Sequence, residues 1–337
     1  MVARVSNLEI APAEVACGAA QVAADTPSVE ILRPREVPLG GPRAMPVRRT
    51  LPQRQRSLIG AWCFVDHYGP VTGDAARMDV PPHPHTGLQT VSWLFSGEVE
   101  HRDSAGVHAM VRPGELNLMT AGAGICHSEV AVSGSVLHGA QLWVALPDSA
   151  RNTARDFAHY RPEPVSIPGA RASVFLGELA GSRSPVTTFT PLLGAQLDLE
   201  PRAELELRID PAFEHGVLCD DGDVALDGVR LSVAELGFLG TGHSVLRLSN
   251  AGGRPARVLL LGGAPFCEEL VMWWNFVGRS HDEIVGYRRQ WQDPRNYPDD
   301  RFGAVRGYQG SVARLPAPPM PTTRLIPRPL PHQKERT

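Results

Sequence analysis

From Leu58 to Leu146 the chain is a succession of short alternating segments punctuated by Gly, Pro and Asp. Gln89-Thr90-Val91-Ser92-Trp93-Leu94-Phe95 reads as a strand ended by Ser96-Gly97. Glu98-Val99-Glu100-His101-Arg102 reads as a second, followed by the turn Arg102-Asp103-Ser104-Ala105-Gly106. Arg112-Pro113-Gly114-Glu115 turns into Leu116-Asn117-Leu118-Met119, and Gln141 to Leu146 closes the series. Short strands at regular spacing with turn residues between them predict an all-β sandwich or barrel. A second block has the same texture: Ala172 to Gly177, Ala195 to Leu199, Glu204 to Ile209, Gly216 to Cys219 and Arg257 to Gly262. The two blocks predict similar β architectures in tandem, without a residue-level repeat. After an aromatic segment, Met272 to Val277, a short helix is expected from Ser280 as N-cap, with Glu283 at its third position, to about Trp291.

A length of 337 residues accommodates two such domains. Residues 1–28, small and polar, are expected to form a flexible leader. Residues 29–147 form an N-terminal β domain, 148–165 a Pro- and Arg-bearing linker, and 166–314 a C-terminal β domain. Residues 315–337 are Pro-rich, predicting a tail that is extended, disordered or draped over the body. Arg48, Arg49, Arg54 and Arg56, interrupted by Pro52, are expected on a solvated face.

A formal net charge of −3 gives no case for a nucleic-acid phosphate footprint. The five cysteines are scattered and include no C-x-x-C pair, which argues against a disulfide framework and for a reducing compartment. The N-terminus lacks a basic start followed by a sustained apolar run, and no stretch reaches membrane-span length without charges. The expected location is cytoplasmic, with no membrane partner.

Within the first block, His83-Pro84-His85 places two imidazoles at i and i+2, on the same side of an extended segment. His127-Ser128-Glu129 repeats that spacing after the Gly-rich bend Gly122-Ala123-Gly124. Two such pairs on facing strands make a set of three imidazoles and one carboxylate. Its mixed N/O character suits a first-row divalent metal such as iron and leaves about two octahedral positions for other ligands. The bland alternative is a group of polar strand residues hydrogen-bonded in a core. His101 and Asp103 are expected in turn hydrogen bonding, and Cys126 as a buried, inert thiol. Trp93 and Phe95 are expected as core, and Trp273-Trp274 as packing of the C-terminal segment on the body.

The segment from Val80 to Glu129 closely resembles the signature region of the pirins, members of the cupin superfamily. The resemblance extends to Phe64-Val65-Asp66-His67-Tyr68-Gly69-Pro70 and to His138-Gly139-Ala140-Gln141-Leu142-Trp143-Val144. It continues in the C-terminal region from Gly263-Ala264-Pro265 through Trp273 to His281. It implies a bicupin, two tandem cupin-type barrels, with one metal site in the first, on His83, His85, His127 and Glu129, usually holding Fe(II). Bacterial pirins are associated with quercetin 2,3-dioxygenase activity, which opens a flavonol ring and releases carbon monoxide. The resemblance therefore implies a small aromatic substrate, with Glu129 as candidate base. Other pirins act as non-catalytic, redox-responsive regulators that bind a protein partner. Gln89 stands where many pirins carry Glu, at a position outside the four ligands. The second barrel carries no H-x-H and is expected to be metal-free.

Overall fold

The computed structural model describes residues 15–17, 29–39, 45–132, 134, 136–296 and 301–327. The expected leader, apart from the strand Val15–Cys17, and the tail beyond residue 327 lie outside the described residues. Two β-barrels of the same plan follow each other. In each, a seven-stranded sheet faces a four-stranded one.

The first barrel's large sheet runs, in spatial order, Asp156–Tyr160, Leu116–Thr120, Leu88–Ser96, Leu137–Ala145, Trp62–Val71, Met45–Leu51 and Arg35–Leu39. Its small sheet runs Asp79–His85, Ile125–Ala131, Val99–Asp103 and His108–Val111. Alternation along Leu88–Ser96 splits the two faces of the large sheet. Ser92 turns into the barrel toward Glu129, while Trp93 turns out and stacks on Phe175 of the second barrel, with ring centroids 4.5 Å apart. Trp93 is therefore core between barrels and does not line the first barrel's interior.

The large sheets of the two barrels pack on each other over a shared apolar cluster. The Trp62 indole N–H reaches the carbonyls of Leu193 and Gly262, and the Trp93 indole N–H donates to Gln196 at 2.9 Å. The Gly60 amide donates to the Glu214 carboxylate at 2.7 Å. An aromatic stack such as Trp93–Phe175 adds about 1 kcal/mol beyond its area burial. Such a seam makes independent movement of the barrels costly.

Three chain segments cross the boundaries expected from sequence. Glu30–Leu32, expected in the first domain, pairs with Leu236–Leu239 at the edge of the second barrel's large sheet. Asp156–Tyr160, in the expected linker, is a full strand on Leu116–Thr120 and brings Phe157 to the wall of the first barrel. The hairpin Leu270–Trp273 and Phe276–Gly278 leaves the second barrel and packs on the outer face of the first barrel's small sheet. The helix His281–Gln292 follows, N-capped by Ser280, which accepts from the Glu283 amide, so the capping residues are those the sequence indicated. Beyond it, residues 301–327 drape over the first barrel. Phe302, Leu315 and Leu325 are buried there, and the Leu315 amide donates to the Pro82 carbonyl at 2.8 Å.

Of the four arginines expected on a solvated face, Arg54 is exposed and Arg48 half-buried, whereas Arg49 and Arg56 are buried. Arg49 is buried, forms a bidentate pair with Asp66 and lies over Phe64, 4.2 Å from the ring centroid. Arg56 is 2 % exposed, pairs with Glu30 and lies over Phe238. Glu30 and Phe238 sit on the exchanged strand and its partner, so Arg56 ties the two together.

Candidate metal centre

Antiparallel pairing of Asp79–His85 with Ile125–Ala131 sets His127 directly opposite His83. The register then slips, so that Glu129 faces Val80. The slip falls at Pro81-Pro82, which have no amide to donate to the ladder, so the strand bulges there. Both freed carbonyls are used. Pro81 accepts from His83 Nδ1 at 2.9 Å, and Pro82 accepts from Leu315. Because a carbonyl only accepts, His83 carries its proton on Nδ1 and leaves the Nε2 lone pair free.

His83, His85 and His127 are 3, 2 and 1 % exposed, and one ring nitrogen of each lies within 4.8 Å of the others. His85 Nε2 and His127 Nε2 stand 3.0 Å apart, a distance with room for at most one proton between them. Burial holds all three imidazoles neutral. His83 is lowered to about 4, with the Pro81 hydrogen bond partly offsetting, and His85 and His127 lie well below the ordinary histidine value. Neutral, convergent imidazole nitrogens are the state in which histidine binds a metal. The donor set fits a first-row divalent ion.

Glu129 meets this group through His127. His101, His127 and Glu129 form a second set with ligand atoms within 4.8 Å of one another. The Glu129 carboxyl is buried, and that burial raises its pKa, opposed by His101 and by the Ser92 hydroxyl. Ser92 Oγ is 3.1 Å from Glu129 Oε1 and 2.9 Å from Gln141 Oε1. A hydroxyl has one proton, so donation to Glu129 leaves the Gln141 side chain to donate in turn, which requires its amide to be turned over. Of the four residues singled out by spacing, His83, His85 and His127 thus converge, and Glu129 joins them only through His127. The sequence did not point to Ser92 and Gln141, although their even placement along inward-facing strands marks them.

His101 lies inside the barrel, beyond simple turn bonding. Its Nδ1 is 3.4 Å from His127 Nδ1, its Nε2 is 3.2 Å from Asp103 Oδ2, and Phe157 covers its ring. Asp103 does carry the turn, accepting from the Ala105 and Val107 amides. Trp143 meets His85 edge-on and stacks on Phe64. Gln89 donates to Thr120. Cys126 is buried outside the barrel interior, among the apolar residues under the C-terminal segment.

Two cupin-type barrels with a histidine cluster inside the first define a bicupin. The pirin domain family matches residues 44–144, and the pirin C-terminal cupin domain matches residues 194–297. A Pseudomonas aeruginosa protein named "Putative quercetin 2,3-dioxygenase" is 44% identical over 290 residues, 85% of this chain and 89% of that protein. The crystal structure of a quercetin 2,3-dioxygenase from Acinetobacter baumannii superposes with a TM-score of 0.81 at 39% identity, over 88% of this chain and 98% of that one. A bacterial pirin from Escherichia coli, solved with nickel(II), shares the fold at a TM-score of 0.55 and 18% identity, over 71% of this chain and 100% of that one. The chain belongs to the pirin family. Among the described residues no helix is long and apolar enough to cross a membrane.

Proposed function

We propose that this chain is a metal-dependent dioxygenase of the quercetin 2,3-dioxygenase type, holding one iron(II) ion on His83, His85, His127 and Glu129. The observation that carries the reading is the convergence of three buried, neutral imidazoles beside a buried carboxylate. Likeness to the Acinetobacter and Pseudomonas proteins supports a flavonol as substrate. When bound, the ion supplies Lewis-acid polarisation and a template for the reacting oxygens.

The protein's own residues prepare and shelter the substrate. Glu129 takes the proton of the flavonol 3-hydroxyl. Burial raises its proton affinity, and Ser92 occupies Oε1, so the proton is received at Oε2. Direct contact with a cation depresses that affinity, so the raised value of a buried carboxylate suits a group that must do both. Trp143 against His85, and Phe157 against the neighbouring His101, line the site with apolar surface and limit water at the reacting face.

The test is anaerobic, iron-loaded protein mixed with quercetin and then exposed to air. The expected result is loss of flavonol absorbance with release of carbon monoxide. Full iron loading without carbon monoxide would overturn the substrate while leaving the metal centre standing.

A further inference from the structure

His67, His138 and Asp220 meet at the seam between the barrels. His67 lies on Trp62–Val71 and His138 on Leu137–Ala145, neighbouring strands of the first barrel, whereas Asp220 lies on Glu214–Asp221 of the second. His67 pairs across the ladder with Ala140, one residue from the inward-facing Gln141. It therefore points out of the first barrel, on the face opposite the centre described above. The three residues are 0, 8 and 2 % exposed.

Both imidazoles direct Nε2 at the same oxygen, Asp220 Oδ1, each at 2.6 Å. His67 makes a hydrogen bond there. His138 approaches the same oxygen at equal distance but off the line of an ideal ring N–H bond, so two imidazole nitrogens crowd one carboxylate oxygen. Asp220 Oδ2 is taken by Arg257 Nη1 at 3.1 Å, and Arg257 is itself held over the Phe95 ring. The carboxylate is thereby fixed with one oxygen presented to two imidazoles.

We propose that His67, His138 and Asp220 form a second, interdomain site for a nitrogen-preferring divalent ion such as zinc(II). The charge balance selects that class. Arg257 holds the far oxygen, and Arg48 lies within the electrostatic reach of Asp220, so the pocket offers little net negative charge to magnesium or calcium. Two imidazoles and one carboxylate oxygen instead match the ligands of a four-coordinate zinc site, with water as the fourth. For bonds of about 2.0–2.1 Å, a tetrahedral edge is roughly 3.3 Å. Loading therefore moves each Nε2 away from Oδ1 by about 0.7 Å. His138, whose side chain is 11% exposed, borders solvent and supplies the entry. An ion here joins strands of both barrels and strengthens the seam. It shares no residue with the centre inside the first barrel.

The test counts zinc per chain after equilibration with excess zinc(II) and gel filtration, alongside thermal melts. Wild-type protein is expected to retain two equivalents and His138→Gln one. His83→Ala/His127→Ala, with the inner centre disabled, is expected to retain one equivalent and to gain in Tm on zinc addition. Adding His138→Gln to that variant should abolish both effects. A metal-free melt and far-UV CD of each variant establish that the chain is folded. Cobalt(II) in the inner-centre variant should give visible d–d bands that His138→Gln removes. Equal zinc content in wild type and His138→Gln overturns the site, leaving two imidazoles paired with one carboxylate at the seam. Failure of flavonol turnover bears only on the inner centre.

Discussion

His215 in the second barrel should make the metal-free protein acid-labile by a calculable amount. It is 1 % exposed, and burial lowers its pKa to about 4, with Asp210 and the Phe213 backbone only partly offsetting. An unfolded chain returns it to about 6.5. The unfolded state thus takes up a proton first as pH falls. The stability contributed by neutral His215 is complete above about pH 6.5 and is lost progressively down to about 4. Integrating between pH 7.5 and 4.5 gives a loss of roughly 2–3 kcal/mol from this one residue. Leu is close in volume and does not titrate, so His215→Leu should remove that increment from the total pH dependence. It should cost little at neutral pH, because neither buried nitrogen it deletes makes a well-aligned hydrogen bond. Urea denaturation of metal-free wild type and variant at the two pH values measures the difference directly. His83 also loses stability over this range in both proteins, so it cancels in the comparison. Stability curves that run parallel with pH would refute the reasoning, because they require His215 to titrate alike in folded and unfolded chains.

His83→Ala or His127→Ala should abolish iron loading at the inner centre, read by iron analysis after gel filtration; unchanged iron content would refute the ligand assignment. Ser92→Ala deletes the hydroxyl that favours the charged form of Glu129, so the carboxyl's pKa should rise further and the acid limb of the activity profile should move to higher pH. Metal content should hold in that variant, with a stability cost of about 1–3 kcal/mol. Gly122→Ala forces a side chain onto a residue at φ +52°, with its Cβ 2.0 Å from the Thr153 carbonyl oxygen. That turn leads into the strand bearing His127, and strain of about 1–3 kcal/mol plus the clash should lower Tm by roughly 5 °C or more.

The candidate metal-centre residues were legible because a strand's side-chain period is two. His83 with His85 and His127 with Glu129 each declare a shared face from spacing alone, and the ladder needed only to set His127 opposite His83. The Pro81-Pro82 bulge that shifts Glu129 by one position could not be read off that period. It depends on which strand lies alongside. The same limit explains the arginines. Arg49 and Arg56 look like solvated charge until Asp66 and Glu30 are placed against them, and a paired, hydrogen-bonded guanidinium is what makes burial tolerable.

Long-range exchange was the least legible part, and it is also what holds the molecule together. Glu30–Leu32 is too short to announce its sheet, and Asp156–Tyr160 carries polar residues at a half-exposed edge, so neither reads as belonging where it pairs. Yet Arg56 bridges the first of these to Phe238 of the second barrel, and Phe157 of the other shields His101 beside the imidazoles. Asp220 lies 153 residues from His67 and carries no local motif, so its meeting with His67 and His138 appears only once the two large sheets face each other. The inner centre is built from neighbours on two adjoining strands and follows from local period. The seam is built from residues of both barrels and follows from how they dock. A substitution at the seam should therefore act first on the relation between barrels, and one at His83 or His127 first on the metal.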